Sequence, residues 1–212
     1  MLSVIISRNA LLLGLFAALA TAVIAGTYLG TRHNIAENQR LAAERALIEI
    51  IPRERHDNAM LDDNVSVDDS KLLGLRAPDN AHIARLQGEP VAVILPATAR
   101  DGYTDDIHLI IGINVDGSIA GVRVLGHRET PGLGDKVERK KSNWVDGFVG
   151  RSLTDPGPEG WAVRKDGGDF DQFTGATITP RAVVNAVHRA LEYFRLHRAE
   201  LLGLTPEEKT RG

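Results

Sequence analysis

The sequence predicts an α+β protein, with a single N-terminal transmembrane helix followed by one domain in which an antiparallel sheet is packed by helices. Three observations support this fold class. A long apolar segment lies near the N-terminus, alternating apolar residues flank an Asp-Gly pair in the middle of the chain, and an amphipathic helical pattern occupies the C-terminal region.

Composition limits the functions open to this chain. Its 212 residues are 43% hydrophobic and carry a formal net charge of −3, which fits one modest domain plus an appendage. There is no basic excess of the kind that nucleic-acid binding requires, so that class of function is set aside. The chain contains no cysteine, which excludes disulfides, iron–sulfur clusters and thiolate metal sites built from it. Any redox chemistry must therefore come from a bound cofactor.

The N-terminal apolar segment is a candidate for crossing a membrane. No charged residue occurs between Arg8 and Arg32, and Ala10–Leu29 is almost entirely apolar. At ~1.5 Å per residue this segment is long enough for a hydrocarbon core of ~30 Å. We predict a flank over residues 1–8 and a transmembrane helix over residues 9–31. A cleaved signal peptide is the competing interpretation, because residues 20–22 (Ala-Thr-Ala) resemble a cleavage site, but the apolar run continues well past them.

A helical stalk and a polar connection are predicted over residues 32–81. The apolar spacing over Asn34–Ile51 predicts a helix that docks on the domain and that Pro52 closes. The aspartates of residues 53–71 lack the glycine and terminal glutamate of an EF-hand calcium loop, so we expect a solvated connection and no metal site. Residues 205–212 form a polar tail that we expect to be disordered.

Residues 82–204 are predicted to form the folded domain. Alternating apolar side chains on both sides of Asp116-Gly117 predict two antiparallel strands joined by a type I′ hairpin. The last helix is predicted from Pro180 to about Leu202, with one apolar stripe that lies across the sheet. The other predicted elements are a buried strand over Val91–Leu95, a short helix over Asp135–Phe148 with inward-packed aromatic residues, and a strand over Trp161–Lys165.

A polar loop runs directly into the last helix. The loop consists of Thr174, Gly175, Ala176 and Thr177. Thr179 and Pro180 then predict the helix start, with the threonine as N-cap and the proline at the first helical position. Free backbone N–H groups and the positive end of the helix dipole converge at such a place, and Gly175 lets the backbone come close to a ligand. The loop therefore suits a phosphate.

The spacing Asp171-x-x-Thr174-Gly175-Ala176-Thr177 resembles the flavin-attachment signature of the FMN-binding domain family. In that family a dedicated flavin transferase joins the phosphate of FMN to the last threonine as a phosphoester. The resemblance implies one covalent FMN per chain, attached to Thr177. A carboxylate close to a phosphate is repulsive unless it is paired or turned away, so we assign Asp171 to shaping the loop or to recognition by the transferase. The rival interpretation, Thr177 as an activated nucleophile, lacks a base nearby.

A second match lies upstream, and it looks like the loop near the isoalloxazine ring in that family. It comprises Glu129, Thr130, Pro131, Gly132, Leu133 and Gly134, followed by Asp135 and Lys136. Each match alone also fits an ordinary turn, whereas two rare motifs in the right order favour the flavin interpretation. Two of three further aromatic side chains have structural explanations. His108 is expected to be a surface or hydrogen-bonded residue, His127 stays open because it precedes Glu129 by two residues, and Trp144 is expected to pack in the core rather than on a flavin.

Together with the apolar N-terminal segment and the chain length, the two motifs resemble the G subunit family of the Rnf electron transport complex, an ion-translocating and SoxR-reducing oxidoreductase. The resemblance implies an electron-carrier subunit of the bacterial inner membrane rather than a stand-alone enzyme, with no catalytic residue of its own and a periplasmic C-terminal domain. Its partners would be the membrane, the flavin transferase and the other subunits, which must supply the NAD site because no G-x-G-x-x-G fingerprint occurs here. The Lys/Arg count on the two sides of the segment does not itself place the N-terminus.

Two other functions stay open from the sequence. The C subunit of sodium-pumping NADH:quinone reductase shares the attachment signature and is a covalent FMN protein as well. A membrane-anchored binding or assembly module without a cofactor belongs to a different class, and it predicts a colourless protein even where the flavin transferase is present. The compact length and the second motif favour the G subunit family over the quinone reductase C subunit.

Overall fold

The computed structural model of the chain describes residues 2–203, and for residues 2–9, 29, 32–36 and 39 it describes the backbone alone. The chain divides after Ala43 into two compact units. Helix α1 (Leu2–Ile50) is an α-helix of 49 residues. Within it Ala10–Tyr28 has a mean hydropathy of 2.2 and exposed side chains, so that by length and composition it can cross a membrane. The predicted tail over residues 205–212 lies outside the described residues.

The second unit, from Glu44 onward, is built on a five-stranded antiparallel sheet in which neighbours along the chain are neighbours in the sheet. The strands are β1 (Asn64–Val67), β2 (Asp79–Leu86), β3 (Glu89–Ala99), β4 (Ile107–Asn114) and β5 (Ile119–Gly126). Strand β1 lies in the polar segment for which the sequence predicts a solvated connection. That prediction was wrong for this stretch, because Val67 is buried in the core and β1 pairs with β2. A strand of four residues is too short to show a clear alternation of apolar and polar side chains in the sequence.

Helix α2 (Ile178–Leu201) covers one face of the sheet. The helix ends within one residue of the predicted Leu202, and the predicted apolar stripe is confirmed. All of its members are buried: Val183, Val187, Ala190, Leu191 and Phe194. Strand β3 supplies the opposing surface through alternate residues such as Val93, Leu95 and Ala97. Since the residues between them point to the other face, β3 is buried on both sides.

The opposite face carries a smaller core beneath the C-terminal end of α1. Leu47, Ile50 and Ile51 pack there with residues such as Ile94 and Ile110 of the sheet. The contact is closest at Gly112, where an added Cβ atom would overlap Cγ2 of Ile50. A glycine in β4 therefore permits the helix end to rest directly on the strand. The expectation that the stalk helix docks on the domain is confirmed for these residues.

The β4–β5 hairpin is present, but its turn differs from the prediction. A type I′ turn needs a positive φ at both central residues, whereas only Gly117 has one, at +88°. The loop has three residues, since the N–H of Asn114 donates to the carbonyl of Ser118 at 2.8 Å. The side chain of Asp116 accepts hydrogen bonds from Ser118 Oγ and N at 2.6 and 2.9 Å, which lower the pKa of this carboxyl. These bonds favour a turn followed by a left-handed glycine.

Two short elements were predicted incorrectly. In place of one helix over residues 135–148 there are two 3-10 helices, Gly134–Val137 and Trp144–Phe148. The hydroxyl of Ser142 accepts the N–H of Trp144 at 3.0 Å, a local bond that competes with continuation of a helix. The predicted strand over residues 161–165 is reduced to an isolated bridge and a 3-10 turn at Arg164–Asp166.

Candidate functional site

The two sequence motifs, far apart in the chain, line one cavity of about 370 Å³. We call residues Glu129–Gly134 the proline loop and residues Thr174–Thr177 the threonine loop. The cavity is lined by Tyr103, Glu129, Thr130, Leu133, Gly134, Gly175, Ala176, Thr177, Ile178 and Thr179. Of the predicted site residues, Pro131, Gly132 and Thr174 belong to the two loops without lining the cavity, and Asp171 lies outside both.

The proline loop is a tight turn. The N–H groups of Leu133 and Gly134 both donate to the carbonyl of Thr130, at 3.1 and 3.0 Å. Pro131 has the fixed φ that the second position of such a turn requires, and Gly132 follows with a φ of +77°. This is the pattern of a type II turn, in which the residue after the proline must accept a left-handed conformation. The sequence of the loop thus determines its backbone.

The threonine loop is a second turn of the same kind. The N–H of Ala176 donates to the carbonyl of Phe173 at 3.1 Å, and Gly175 has a φ of +81°. The two loops lie against each other, since a Cβ atom at Gly175 would stand 3.4 Å from Cδ2 of Leu133. The glycine therefore serves both the turn and the approach of the loops, as expected from the sequence.

Helix α2 begins two residues earlier than the sequence predicts. The N-cap position is occupied by Thr177, and Thr179 and Pro180 lie inside the first turn. The predicted capping role of Thr179 was therefore wrong: its side chain is 1% exposed and its hydroxyl donates to a carboxylate oxygen of Glu129. Thr177 itself makes no side-chain capping bond and is partly exposed. Thr177 thus lines the cavity with a hydroxyl that makes no capping hydrogen bond.

The carboxylate of Glu129 is the polar centre of the cavity wall, and it is 4% exposed. Oε2 accepts the Thr179 hydroxyl, and Oε1 accepts the backbone N–H of Thr104 at 3.0 Å. Space around it is limited by Gly134, where a Cβ atom would lie 2.8 Å from Oγ1 of Thr179 and 2.9 Å from Cβ of Glu129. The proline loop is thereby tied to the first turn of α2.

His127, which the sequence left open, supports the proline loop from outside the cavity. Its Nδ1 accepts the backbone N–H of Glu129 at 3.0 Å, and its Nε2 lies 2.8 Å from Oε1 of Glu138. Because Nδ1 is an acceptor, a neutral imidazole must carry its proton on Nε2 and donate it to Glu138. The histidine therefore holds the start of the loop rather than lining the cavity. His108, in contrast, is exposed and contacts Thr98, as predicted.

An aromatic cluster lies beneath the threonine loop. Trp144 is partly buried and packs edge-on against Phe173 and Phe148, with ring centroids 5.1 and 5.3 Å apart, so the predicted packing against the core is confirmed. Its indole N–H donates to the backbone carbonyl of Asp171 at 2.8 Å. The carboxylate of Asp171 does not line the cavity. It lies 3.0 Å from Nη1 of Arg164, and both side chains are 65% exposed. Asp171 is thus paired, which meets the condition under which a carboxylate can lie close to a phosphate.

The cationic group nearest along α2 is also engaged. Arg181, one turn after Thr177, donates from Nε and Nη2 to the carboxylate of Asp166 at 2.6 and 2.9 Å. This hydrogen bond holds the pKa of Asp166 below its usual range. An anion at the threonine loop would therefore be held by backbone N–H groups and the helix start.

The arrangement fits FMN in two respects. The threonine loop offers a hydroxyl without a capping task beside a glycine turn at a helix N-terminus, which suits a phosphate. The rim of the cavity carries three exposed apolar side chains, Tyr103, Leu133 and Ile178, which suit an aromatic ring system. A larger cavity of about 570 Å³ lies between the β4–β5 hairpin and α2, and it is lined by no residue of either loop.

Sequence reasoning missed part of the site. The sequence marks Tyr103 only as part of a loop and Thr179 only as a cap, and it gives Thr104 and Ile178 no distinction. No motif connects these residues to Glu129, because strand pairing and the start of α2 bring them together. The spacing of Thr179 two residues after Thr177 is visible in the sequence, but the buried partner of its hydroxyl is not.

Comparison with known proteins agrees with this geometry. A family model described as FMN-binding domain matches residues 102–192, a range that includes both loops, and the RnfG N-terminal region matches residues 1–50. A Pseudomonas aeruginosa protein named as the G subunit of the ion-translocating oxidoreductase complex is 55% identical over 201 residues, covering 95% of this chain and 93% of the relative. Proteins of the same name from Shewanella loihica and Vibrio cholerae are 50% and 46% identical, covering 93% and 92% of this chain and 93% of each relative. The chain therefore belongs to the G subunit family of the ion-translocating oxidoreductase complex.

Proposed function

We propose that this chain is a membrane-anchored covalent FMN flavoprotein that relays electrons within an Rnf-type ion-translocating oxidoreductase complex. The observation that carries the proposal is the convergence of the proline loop and the threonine loop on one cavity, with the Thr177 hydroxyl free of a capping bond. Family membership supports the complex, and the matched FMN-binding domain supports the cofactor. Relatives that are named as the G subunit of this complex favour the assignment over the quinone reductase C subunit.

The attachment point that we propose is Oγ of Thr177. There the threonine oxygen gives up its proton and bonds to the phosphorus of FMN, while the bond from that phosphorus to the leaving group of the transferase's flavin donor breaks. The chain gains one FMN less one water. Backbone N–H groups of the threonine loop and the first turn of α2 would bind the remaining phosphate oxygens. A covalent link makes sense for a carrier that faces the periplasm, because released FMN would be lost by dilution.

FMN supplies the electron-carrying chemistry when bound, since it accepts and donates one or two electrons. The residues of this chain then have three tasks, which are attachment, orientation and control of access. Thr177 attaches, the turn of the proline loop orients one edge of the ring, and the rim side chains Tyr103, Leu133 and Ile178 limit solvent at the cavity. The other subunits of the complex are the donor and acceptor of electrons.

The attachment is tested by intact mass of the membrane-extracted protein, made in cells that contain an active flavin transferase. We expect an increment of one FMN less one water in the wild-type chain and in Thr154→Ala, and no increment in Thr177→Ala. Thr154 is the matched control because it is an exposed threonine outside both the signature and the cavity. An unmodified wild-type protein, with the transferase active on a known target, would favour the cofactor-free binding module.

The periplasmic position of the domain is a separate part of the proposal. A reporter fused after Gly212 tests it in intact cells, in pairs of fusions that are active only in the cytoplasm or only in the periplasm. We expect activity from the periplasmic reporter alone. Activity from the cytoplasmic reporter alone would reverse the orientation and leave the attachment proposal unaffected.

A further inference from the structure

Glu129 is a buried acid for which the described residues provide no cationic partner within ion-pair distance. The adjacent cation in the chain, Arg128, pairs instead with Asp105 at 3.2 Å, and Lys141 lies 3.6 Å from Asp135. Burying a carboxylate without a counter-charge is unfavourable unless hydrogen bonds compensate. Such a group in the wall of a ligand cavity calls for a functional explanation.

The surroundings fix both oxygens of this carboxylate. Each accepts a hydrogen bond, Oε1 from the N–H of Thr104 and Oε2 from the hydroxyl of Thr179, which is the pattern of an acceptor-only, ionised group. Glycines enclose it on two sides, because Cβ atoms at Gly102 and Gly134 would lie 3.2 and 3.1 Å from Oε1 and Oε2. The negative charge therefore has one position, at the wall of the cavity.

We propose that Glu129 is a positioning residue that also holds a fixed negative charge beside the bound flavin and thereby lowers its reduction potential. The inference rests on the proposed function, because it requires FMN in this cavity. An electron that arrives from a donor subunit adds negative charge near the carboxylate, and in a site shielded from water this repulsion is only weakly screened. The chain would thus make its flavin a stronger electron donor to the next carrier.

A purely structural role for Glu129 is the rival explanation, since the side chain also ties the proline loop to α2. Glu129→Gln separates the two roles. The amide oxygen can still accept the Thr104 N–H, and the amide NH₂ can donate to Oγ1 of Thr179, because a hydroxyl both donates and accepts. The variant keeps the shape and both hydrogen bonds but removes the charge.

Thr179→Val is the complementary variant. It keeps the carboxylate and the side-chain volume but removes the hydroxyl whose dipole partly offsets the negative charge. If charge sets the potential, the two variants shift it in opposite directions. If Glu129 only supports the loop, Glu129→Gln leaves the potential unchanged because it keeps both hydrogen bonds, and only Thr179→Val loosens the contact.

The experiment is a spectroelectrochemical titration of the attached flavin in the full-length protein, with intact mass to confirm that FMN is present. We expect Glu129→Gln to favour the reduced flavin by about tenfold, equivalent to about 59 mV upward for a one-electron couple, and Thr179→Val to lower the potential. An unchanged potential in Glu129→Gln, or an upward shift in Thr179→Val, would overturn the inference. The second criterion decides the matter even if Glu129→Gln fails to take up FMN.

The same samples separate this inference from the proposed function. A wild-type protein without the FMN mass increment contradicts the proposed function, whereas a wild-type protein that carries FMN and responds to neither substitution contradicts only the role of Glu129. Thermal unfolding of the unmodified variants adds a readout that does not involve the flavin. We expect Glu129→Gln to unfold close to the wild-type temperature, because its hydrogen bonds are retained.

Discussion

The two loops of the cavity are built on similar turns but are held in different ways. The proline loop is fixed by buried polar contacts, with Glu129 bonded to the first turn of α2 and its backbone N–H bonded to His127. The threonine loop is exposed at Thr174 and Gly175, and its anchors are the aromatic cluster beneath it and the start of α2. One wall of the cavity is therefore rigid and the other is accessible.

This difference matches two different demands. A wall that orients a flavin ring must have the same geometry before and after the cofactor arrives, which buried hydrogen bonds provide. A residue that a second enzyme modifies must be reachable, and Thr177 is partly exposed in a loop that the Asp171 backbone and Trp144 hold from below. Substitutions in the two loops should therefore act differently, the first on stability and the second on attachment.

The largest effect on stability is expected at the proline loop from Gly134→Ala. The added Cβ would lie within 3 Å of both Thr179 and Glu129, so the loop must move away from α2. Overpacking of this kind costs about 1–3 kcal/mol. Thermal or urea unfolding of the full-length protein measures it, with Gly132→Ala as the control, because a Cβ there meets open space and adds only the strain of a positive φ. Equal losses in the two variants would contradict the close packing at Gly134.

A loss of the same order is expected from Thr179→Val in protein made without flavin transferase. The substitution leaves a buried carboxylate oxygen without its hydroxyl donor, which costs about 1–3 kcal/mol, with the backbone left in place. Thr179→Ser should restore most of the stability. Thr177→Val is the matched control, because that hydroxyl makes no capping bond and a change at a partly exposed site stays within about 0.5 kcal/mol. The prediction fails if both valine variants unfold alike.

A third substitution addresses the threonine loop. Gly175→Ala forces a non-glycine residue to a φ of +81°, which costs about 1 kcal/mol. Gly150→Ala imposes nearly the same φ, +79°, at a residue that does not line the cavity and with open space around the Cβ. We expect similar losses of stability in the two variants but a lower fraction of attached FMN, by intact mass, in Gly175→Ala alone. Equal fractions of attached FMN in the two variants would mean that modification does not depend on the conformation of the threonine loop.

The same contrast explains how much the sequence could predict. Local rules identify both turns, because each contains a glycine that can take a left-handed conformation, preceded in one loop by a proline. Apolar periodicity identifies the stripe of α2 and the strands around residue 116. Tertiary contacts decide the rest. Thr179 looks like an N-cap until its hydroxyl is seen to contact Glu129, and the short strand β1 is recognisable only through its pairing with β2. The cavity itself depends on such long-range contacts.

The smallest effect expected is a loss of stability on acidification. Two histidines in different parts of the domain should cause it. Burial lowers the pKa of His188, whose ring stacks on Trp161 at 5.3 Å within the aromatic cluster, and the nearby charges of Glu192 and Arg189 oppose each other. Burial also lowers the pKa of His82 in β2, against the hydrogen bond to the Met60 carbonyl and the charge of Asp79.

Because both histidines titrate at lower pH when folded, the unfolded chain binds more protons once the pH falls below the ordinary histidine value of about 6.5. Stability is therefore complete above that pH and declines as the pH falls through it towards the lowered folded values. Unfolding temperatures measured from about pH 7.5 to about pH 5.5 should decline in the wild-type protein and decline less in His188→Phe and in His82→Gln. Only His188→Phe should also reduce the acid sensitivity of Trp fluorescence, since His188 contacts Trp161. A decline of the same size in all three proteins would show that neither histidine causes it.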